Sequence, residues 1–293
     1  MSYAPAPTLL SRLTRSKLLP RWQAASVGVG ERRSKQKGAG MEFADHREYQ
    51  PGDDFRYLDV HVHARLGRNY IKQYDIYRAL PINIIVDSSR SMDYGEPNKF
   101  KHAMGIAAAL GFIGLAGGDR VEIGVGNGDK LTWSPRFQGV MRSQAMFDWA
   151  NEQKPSNRGA FAGTLRGALR HFTDKGLVIV LSDWWGVNFK DEVSLLAATG
   201  QEIWAMHIAA PEEIDPSLMG TGEVRLTDVE TGQEVEIALD AGTQDRYRKG
   251  FHAWREQLAE QFAHVQGRYM LLPTDKPTDR LYLYDWRSLG LIG

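Results

Sequence analysis

The sequence predicts an α/β protein built on an open, mostly parallel sheet with helices on both faces. Three observations carry that expectation. Apolar runs such as "PINIIVD" (81–87), "LVIVLSD" (177–183) and "QEIWAMHI" (201–208) lack polar alternation, the pattern of strands buried on both faces. These runs alternate with helical stretches such as "KFKHAMGIAAALGFIGLAGG" (99–118), which ends in a Gly pair that stops a helix. The chain has 293 residues, enough for one domain of about 200 residues and an appendage.

In chain order, residues 1–40 stand apart. Arg12, Arg15, Lys17, Arg21, Arg32, Arg33, Lys35 and Lys37 outnumber one acid, Glu31. Ala-Pro steps and clustered Gly and Ser predict a loosely ordered basic arm with a short helix near Leu9 to Leu19, either solvated or packed on its own domain. Residues 41–79 read as an N-terminal β segment. In it "QPGDD" is a turn, and the alternation in "YLDVHVHARL" and "NYIKQYDIY" predicts two strands. Residues 80–293 form the main domain. Here "DRVEIGVGNGDKLTWS" reads as two strands joined by a turn, and "RSQAMFDWANEQ", "GTLRGALRHFTDKG" and "DEVSLLAATG" as helices. An inserted hairpin is expected at about 222–240, turning near Thr231 and Gly232. A long amphipathic helix, "TQDRYRKGFHAWREQLAEQFAHVQG", then a strand, "RYMLLP", and a helix, "TDRLYLYDWRSLG", follow.

Composition narrows the classes. Lys plus Arg and Asp plus Glu both number 36, so no global charge argues for nucleic acid or anionic lipid. The absence of cysteine removes disulfides, thiol catalysis and cysteine metal sites. No run approaches the roughly 18 apolar residues of a membrane span, and the N-terminus lacks the pattern of a secretory signal. A cytoplasmic location is the expectation.

The chemistry concentrates where buried strands stop. Asp87 ends the run "INIIV", and Asp183 follows "LVIVLS". In an open parallel sheet, ligands collect beyond the carboxyl ends of the strands, where strand order reverses. Two carboxylates on that rim need donors, a base or a cation. Asp87, Ser89 and Ser91 stand at i, i+2, i+4 on one loop with no lysine close by in sequence, so three short oxygen-bearing side chains can curl around one point. Thr164, at a helix start in "FAGTLRGAL", offers a fourth. Hydroxyls and carboxylates without His or Cys suit a hard ion, Mg²⁺ first, with Mn²⁺ or Ca²⁺ as alternatives. Asp183 either ligates directly or holds a metal-bound water.

The order Asp87-x-Ser89-x-Ser91, then Thr164, then Asp183 resembles the metal-ion-dependent adhesion site of the von Willebrand factor A domain, a Rossmann-like open sheet. A second resemblance is carried by "GMEFADHREYQPGDDFRYLDVHVHARLGRNYIKQYD" followed by "DSSRSM". This pattern is similar to the bacterial family catalogued as domain of unknown function fifty-eight. The similarity runs from about Gly38 to the C-terminus, and Glu42 to Arg65 is its most specific part. Val60 stands where that family usually has Trp, and His61 and His63 are less usual there. The resemblance implies a non-enzymatic module in which an acidic residue of another protein completes the metal shell. It further implies an adaptor or co-chaperone role with a MoxR-type AAA+ ATPase, whose ring or client would be the partner.

Plainer readings stand beside these. Asp and Ser also cap turns. "DDFRYLD" reads as an ion-pair cluster of Asp53, Asp54 and Asp59 with Arg56 and Arg65. His61 and His63, on one face of the expected strand, lack a third zinc ligand. Trp184 and Trp185 either present aromatic surface to a partner or pack under a loop. The alternative from another class is a metal-assisted hydrolase using the same rim.

Overall fold

The computed structural model describes residues 2–21, 41–76, 79–127, 130–156, 161–186, 189–227 and 234–293. In chain order the helices are α1 (Pro7–Leu13), α2 (Val60–Leu66), α3 (Lys99–Ala116), α4 (Ser143–Asn151), α5 (Phe161–Ala168), α6 (Lys190–Ala198) and α7 (Ala241–His264), with a C-terminal helix over 278–288. The strands are β1 (Met41–Glu48), β2 (Tyr70–Ile76), β3 (Pro81–Val86), β4 (Arg120–Asn127), β5 (Lys130–Trp133), β6 (Phe137–Gln138), β7 (Leu177–Ser182), β8 (Glu202–Ala209), β9 (Gly222–Thr227), β10 (Glu234–Leu239) and β11 (Arg268–Pro273). Two compact units result, Gly28–Ala79 and the rest of the chain.

The large unit is a seven-stranded sheet in the order β11-β8-β7-β3-β4-β5, with β6 also on β4. β11, β8, β7, β3 and β4 run parallel, while β5 and β6 are antiparallel to β4. Helices cover both faces. On one face Ile82, Ile84 and Val86 pack with α3, α4 and the C-terminal helix; on the other Ile85, Val178 and Val180 pack with α5, α6 and α7. α3 is apolar nearly all round because it lies between the sheet, α1 and α4, and a helix without a solvent face needs no amphipathic stripe. The hairpin β9–β10 pairs antiparallel, while its turn, with Thr231 and Gly232, lies outside the described residues. So does the turn between β4 and β5 at 128–129. Among the described residues no helix is long and apolar enough to cross a membrane.

Two expectations need correction. The arm is, over residues 2–21, ordered rather than loose and packed on its own domain, the second of the two readings above: Leu9, Leu13 and Leu18 are core residues, Lys17 and Gly293 exchange backbone hydrogen bonds, and the Leu19 amide donates to the Leu291 carbonyl. Leu9, Leu13 and Leu18 lie in the core while Arg12, Arg15, Lys17 and Arg21 are exposed, so the charge count alone did not decide between the two readings. Residues 22–40 lie outside the described residues.

The second correction concerns "YLDVHVHARL". It forms α2, not a strand. The Asp59 carboxylate accepts from the His61 and Val62 amides at 2.9 and 3.2 Å, and Gly67 closes the helix in the left-handed region at φ 64°. An N-cap and a left-handed C-cap outweigh a short alternation of apolar residues. His61 and His63 therefore do not share a strand face. In the same unit β1 and β2 pair antiparallel. The acids there are ion-paired, but with other partners than expected for two of them: Asp53 with Arg47, Asp54 with Arg56, and Asp59 with His46 and Lys72.

Candidate metal rim and its lysine

The chain leaves β3 to build α3 and β4 on one side, then returns to place β7 on the other. The loops after β3 and β7 thus diverge at the point where strand order reverses, which opens a crevice at their carboxyl ends. Val86 lies level with Val125 of β4 and Leu181 of β7, so Asp87, Gly126 and Ser182 follow at one height on the rim.

Asp87 is pinned from three sides. Its amide donates to the Leu181 carbonyl at 2.9 Å, and its carboxylate accepts from the Ser89 amide at 2.8 Å and the Ser182 hydroxyl at 2.6 Å. The Ser89 and Ser91 hydroxyls lie 3.1 Å apart, so the loop does curl its oxygens together. Ser88, buried beside them, leaves its hydroxyl without a hydrogen-bond partner among the described residues. Burial first, and the like charge of Asp183 second, push the Asp87 carboxyl well above the ordinary carboxylate range, against the hydrogen bonds from Ser182 and Ser89.

Thr164 reaches the same rim. It is buried on α5, and a Cβ built on Gly126 would fall 2.7 Å from its Cγ2 and 2.9 Å from its Oγ1. Glycine at 126 is what lets this threonine approach the end of β4. Asp87, Ser89, Ser91, Thr164 and Asp183 thus lie at one end of the sheet.

The unexpected member is Lys99, the first residue of α3. It is only 1% exposed. Its Nζ donates to Asp183 Oδ2 at 2.8 Å and to Glu213 Oε1 at 2.6 Å. Burial pulls its pKa down, but Asp183 and Glu213 together outweigh that and hold it above the usual lysine value. Glu213 is itself pushed up by burial, which Lys99 and the Ala210 amide oppose without cancelling. Glu213 belongs to the single turn Pro211–Ile214 after β8 and also accepts from the Ala210 amide at 2.7 Å and Trp185 Nε1 at 3.2 Å. Asp183 Oδ1 accepts from the Trp185 amide at 3.2 Å. Both Asp183 oxygens therefore already hold donors. Asp183 and Glu213 share one ammonium, and Asp87 lies close enough to Asp183 to feel its charge.

The adjacent tryptophans part company. Trp184, at φ 56°, turns inward, is 1% exposed and packs on Phe161, Phe189 and Phe262. It is a core residue, so for Trp184 the packing reading holds and the partner-surface reading does not. Trp185 is 40% exposed and stacks on Trp254 at 4.5 Å between ring centroids.

The donor set fits a hard cation through Asp87 and the hydroxyls. Among the described residues no group of three or more His, Asp or Glu side chains is arranged to hold a metal, so an ion here would have to draw on Ser and Thr oxygens, as Mg²⁺ can. Sequence reasoning missed Lys99 and Glu213. A signal existed for Lys99: it lies on the stripe of Ala103, Ile106 and Leu110 at helical spacing, all buried, and a lysine on an apolar stripe needs a buried partner.

A family profile described as "Protein of unknown function DUF58" matches residues 45–259. Among curated proteins, the chain is 28% identical over 276 residues to "Uncharacterized protein Rv1480" of Mycobacterium tuberculosis, covering 92% of this chain and 86% of that one. Among solved structures it is similar to conserved hypothetical protein BatB from Bacteroides thetaiotaomicron, at 14% identity and TM-score 0.44, covering 72% of this chain and 99% of that one. It is also similar to an aerotolerance-related membrane protein from Bacteroides fragilis, at 15% identity and TM-score 0.42, covering 66% and 92%.

Proposed function

The chain belongs to the family described as protein of unknown function DUF58, and from that premise we propose that it is a divalent-cation-dependent protein-binding module of the von Willebrand factor A type. In this reading it is an adaptor or co-chaperone for a cytoplasmic MoxR-type AAA+ ATPase or its client, and not an enzyme. The observation that carries the reading is the gathering of Asp87, Ser89, Ser91 and Thr164 at the switch point of the sheet. Asp87 would supply the anionic ligand, Ser89, Ser91 and Thr164 neutral ones, and Asp183 a fixed acceptor beside them. The excess of buried carboxyls over ammonium at this rim favours a bound cation, because unpaired buried charge is costly.

When bound, the ion supplies an electrophilic point that an acidic side chain of the partner completes. Neutral hydroxyl ligands leave it short of negative charge, which is the basis for recruiting a carboxylate. Trp185, exposed two residues past Asp183, offers flat apolar surface for the residues flanking that carboxylate.

Isothermal titration of Mg²⁺ and Mn²⁺ into the wild type, Asp87→Ala and Ser89→Ala/Ser91→Ala tests the ion. Saturable binding by the wild type and its loss in both variants is the expected result; equal heats throughout, or none, remove the metal from the account. Capture of partners from a native lysate with and without chelator then tests recruitment. An AAA+ ATPase or its client should be retained only with the ion present, and retention that ignores the chelator contradicts the reading.

A further inference from the structure

We propose that Lys99 is a resident counter-cation that sets ion affinity at the rim: it keeps Asp183 out of the direct ligand set and leaves the ion dependent on a partner's carboxylate. This deepens the function proposed above and rests on it. The lysine is placed for the task. It enters the rim at the first turn of α3, where the Asn98 side chain caps the helix by accepting from the Lys101 amide at 3.1 Å. Its stem lies in the core, and its ammonium takes Asp183 Oδ2 and Glu213 Oε1 at 2.8 and 2.6 Å.

Asp183 is close enough to Asp87 for their charges to oppose one another, and its neighbour Ser182 donates to Asp87 at 2.6 Å. A positive charge one carboxylate away from the ion site does two things. It repels an incoming divalent ion, and it occupies the oxygen through which Asp183 would otherwise ligate. With Asp87, Asp183 and Glu213 ionised against Lys99, the cluster carries a net charge of about −2. Replacing Lys99 by methionine and Glu213 by glutamine leaves that net charge unchanged, since one charge of each sign is removed, but frees Asp183. The double variant therefore separates release of the ligand from a change in total charge. Lys99 is a positioning residue here, acting on the ion through Asp183.

The experiment titrates Mn²⁺ by calorimetry into the full chain as wild type, Lys99→Gln and Lys99→Met/Glu213→Gln, each with and without Asp183→Asn. Circular dichroism melts without ion check that each variant folds. Glutamine keeps a donor for Asp183, so Lys99→Gln stands in if the double variant does not fold. The expected result is ion binding about tenfold tighter when the ammonium is gone, the order of effect of one nearby charge. In the double variant, whose net charge matches wild type, that gain should vanish with Asp183→Asn, which a merely structural role for Lys99 would not produce; in Lys99→Gln it should shrink to the part due to relieved repulsion.

Folded Lys99 variants that bind Mn²⁺ with wild-type affinity would overturn this proposal and leave the metal reading standing. Binding by the Lys99 variants alone, with none by the wild type, would uphold Lys99 as the rim's cation and remove the metal from the native protein. Binding by neither would end both.

Discussion

At the scale of residues, the energetics of the rim turn on one buried ammonium. Lys99→Ala removes the shared partner of Asp183 and Glu213 and leaves two buried carboxylates facing each other. Breaking a buried pair in this way costs about 3–5 kcal/mol, and urea unfolding should show a loss of that order. Glu213→Gln should cost less, because Lys99 keeps Asp183 and the amide still accepts from Trp185. Asp87 and Asp183 were legible because each follows a largely apolar run, where a polar residue has no packing reason to be, and Ser89 and Ser91 because they continue from Asp87 at every second position. Lys99 was not, since a lysine near a helix start is ordinarily solvated, and only its position on the apolar stripe of α3 betrays it. The two tryptophans were not separable either. Their fates diverge at the left-handed backbone of Trp184, a conformation that large L-residues rarely adopt and that no local pattern announces.

At the scale of elements, close approach between β4 and α5 decides whether Thr164 reaches the rim. A methyl group on Gly126 would overlap the Thr164 side chain at 2.7 Å, and β4 is fixed by β3 on one side and β5 on the other. Gly126→Ala should therefore force α5 outward and cost about 1–3 kcal/mol, as overpacking does. A lower thermal midpoint, together with weaker Mn²⁺ binding under the proposed function, is the expected outcome; an unchanged melt would mean that α5 yields freely. The parallel strands and most helices of the large unit were legible from their apolar runs and stop signals. α2 was misread because its alternation of Val and His suits period two, whereas Asp59 and Gly67 had already fixed both ends of a helix. The packing of residues 2–21 on their own domain was one of two readings left open, because the leucines are spaced too sparsely to decide against the bases. Deleting residues 2–21 should lower the urea midpoint, since each buried leucine contributes about 1.5–3 kcal/mol.

At the scale of the whole molecule, topology makes the rim, and buried titratable groups spread around the sheet set how stability follows pH. His207 on β8 is fully buried with its Nδ1 on the Tyr269 hydroxyl at 2.5 Å, and burial, then Lys99 and Arg255, push it down to about 3. Burial likewise pushes His102 on α3 down to about 4, against the attraction of Asp275. Both histidines stay neutral in the folded protein while the unfolded chain protonates them near pH 6.5. Their stabilising effect is therefore present above about pH 6.5 and lost as the pH falls below it, by about 1.4 kcal/mol per pH unit for each. Buried carboxyls act in the other direction. Asp119, held up at about 6 by burial, and the raised Asp87 and Glu213 take up protons in the folded state before the unfolded chain does, which favours folding on mild acidification. The wild-type profile is a near-balance of these opposing groups, so the informative quantity is a difference. His207→Gln, measured by urea unfolding from pH 7.5 to 4.5, should lose its deficit relative to wild type steadily below pH 6.5, by about 1.4 kcal/mol per unit. Parallel profiles for the two proteins would mean that His207 takes up its proton as readily in the folded protein as in the unfolded chain, so that its burial does not hold it neutral.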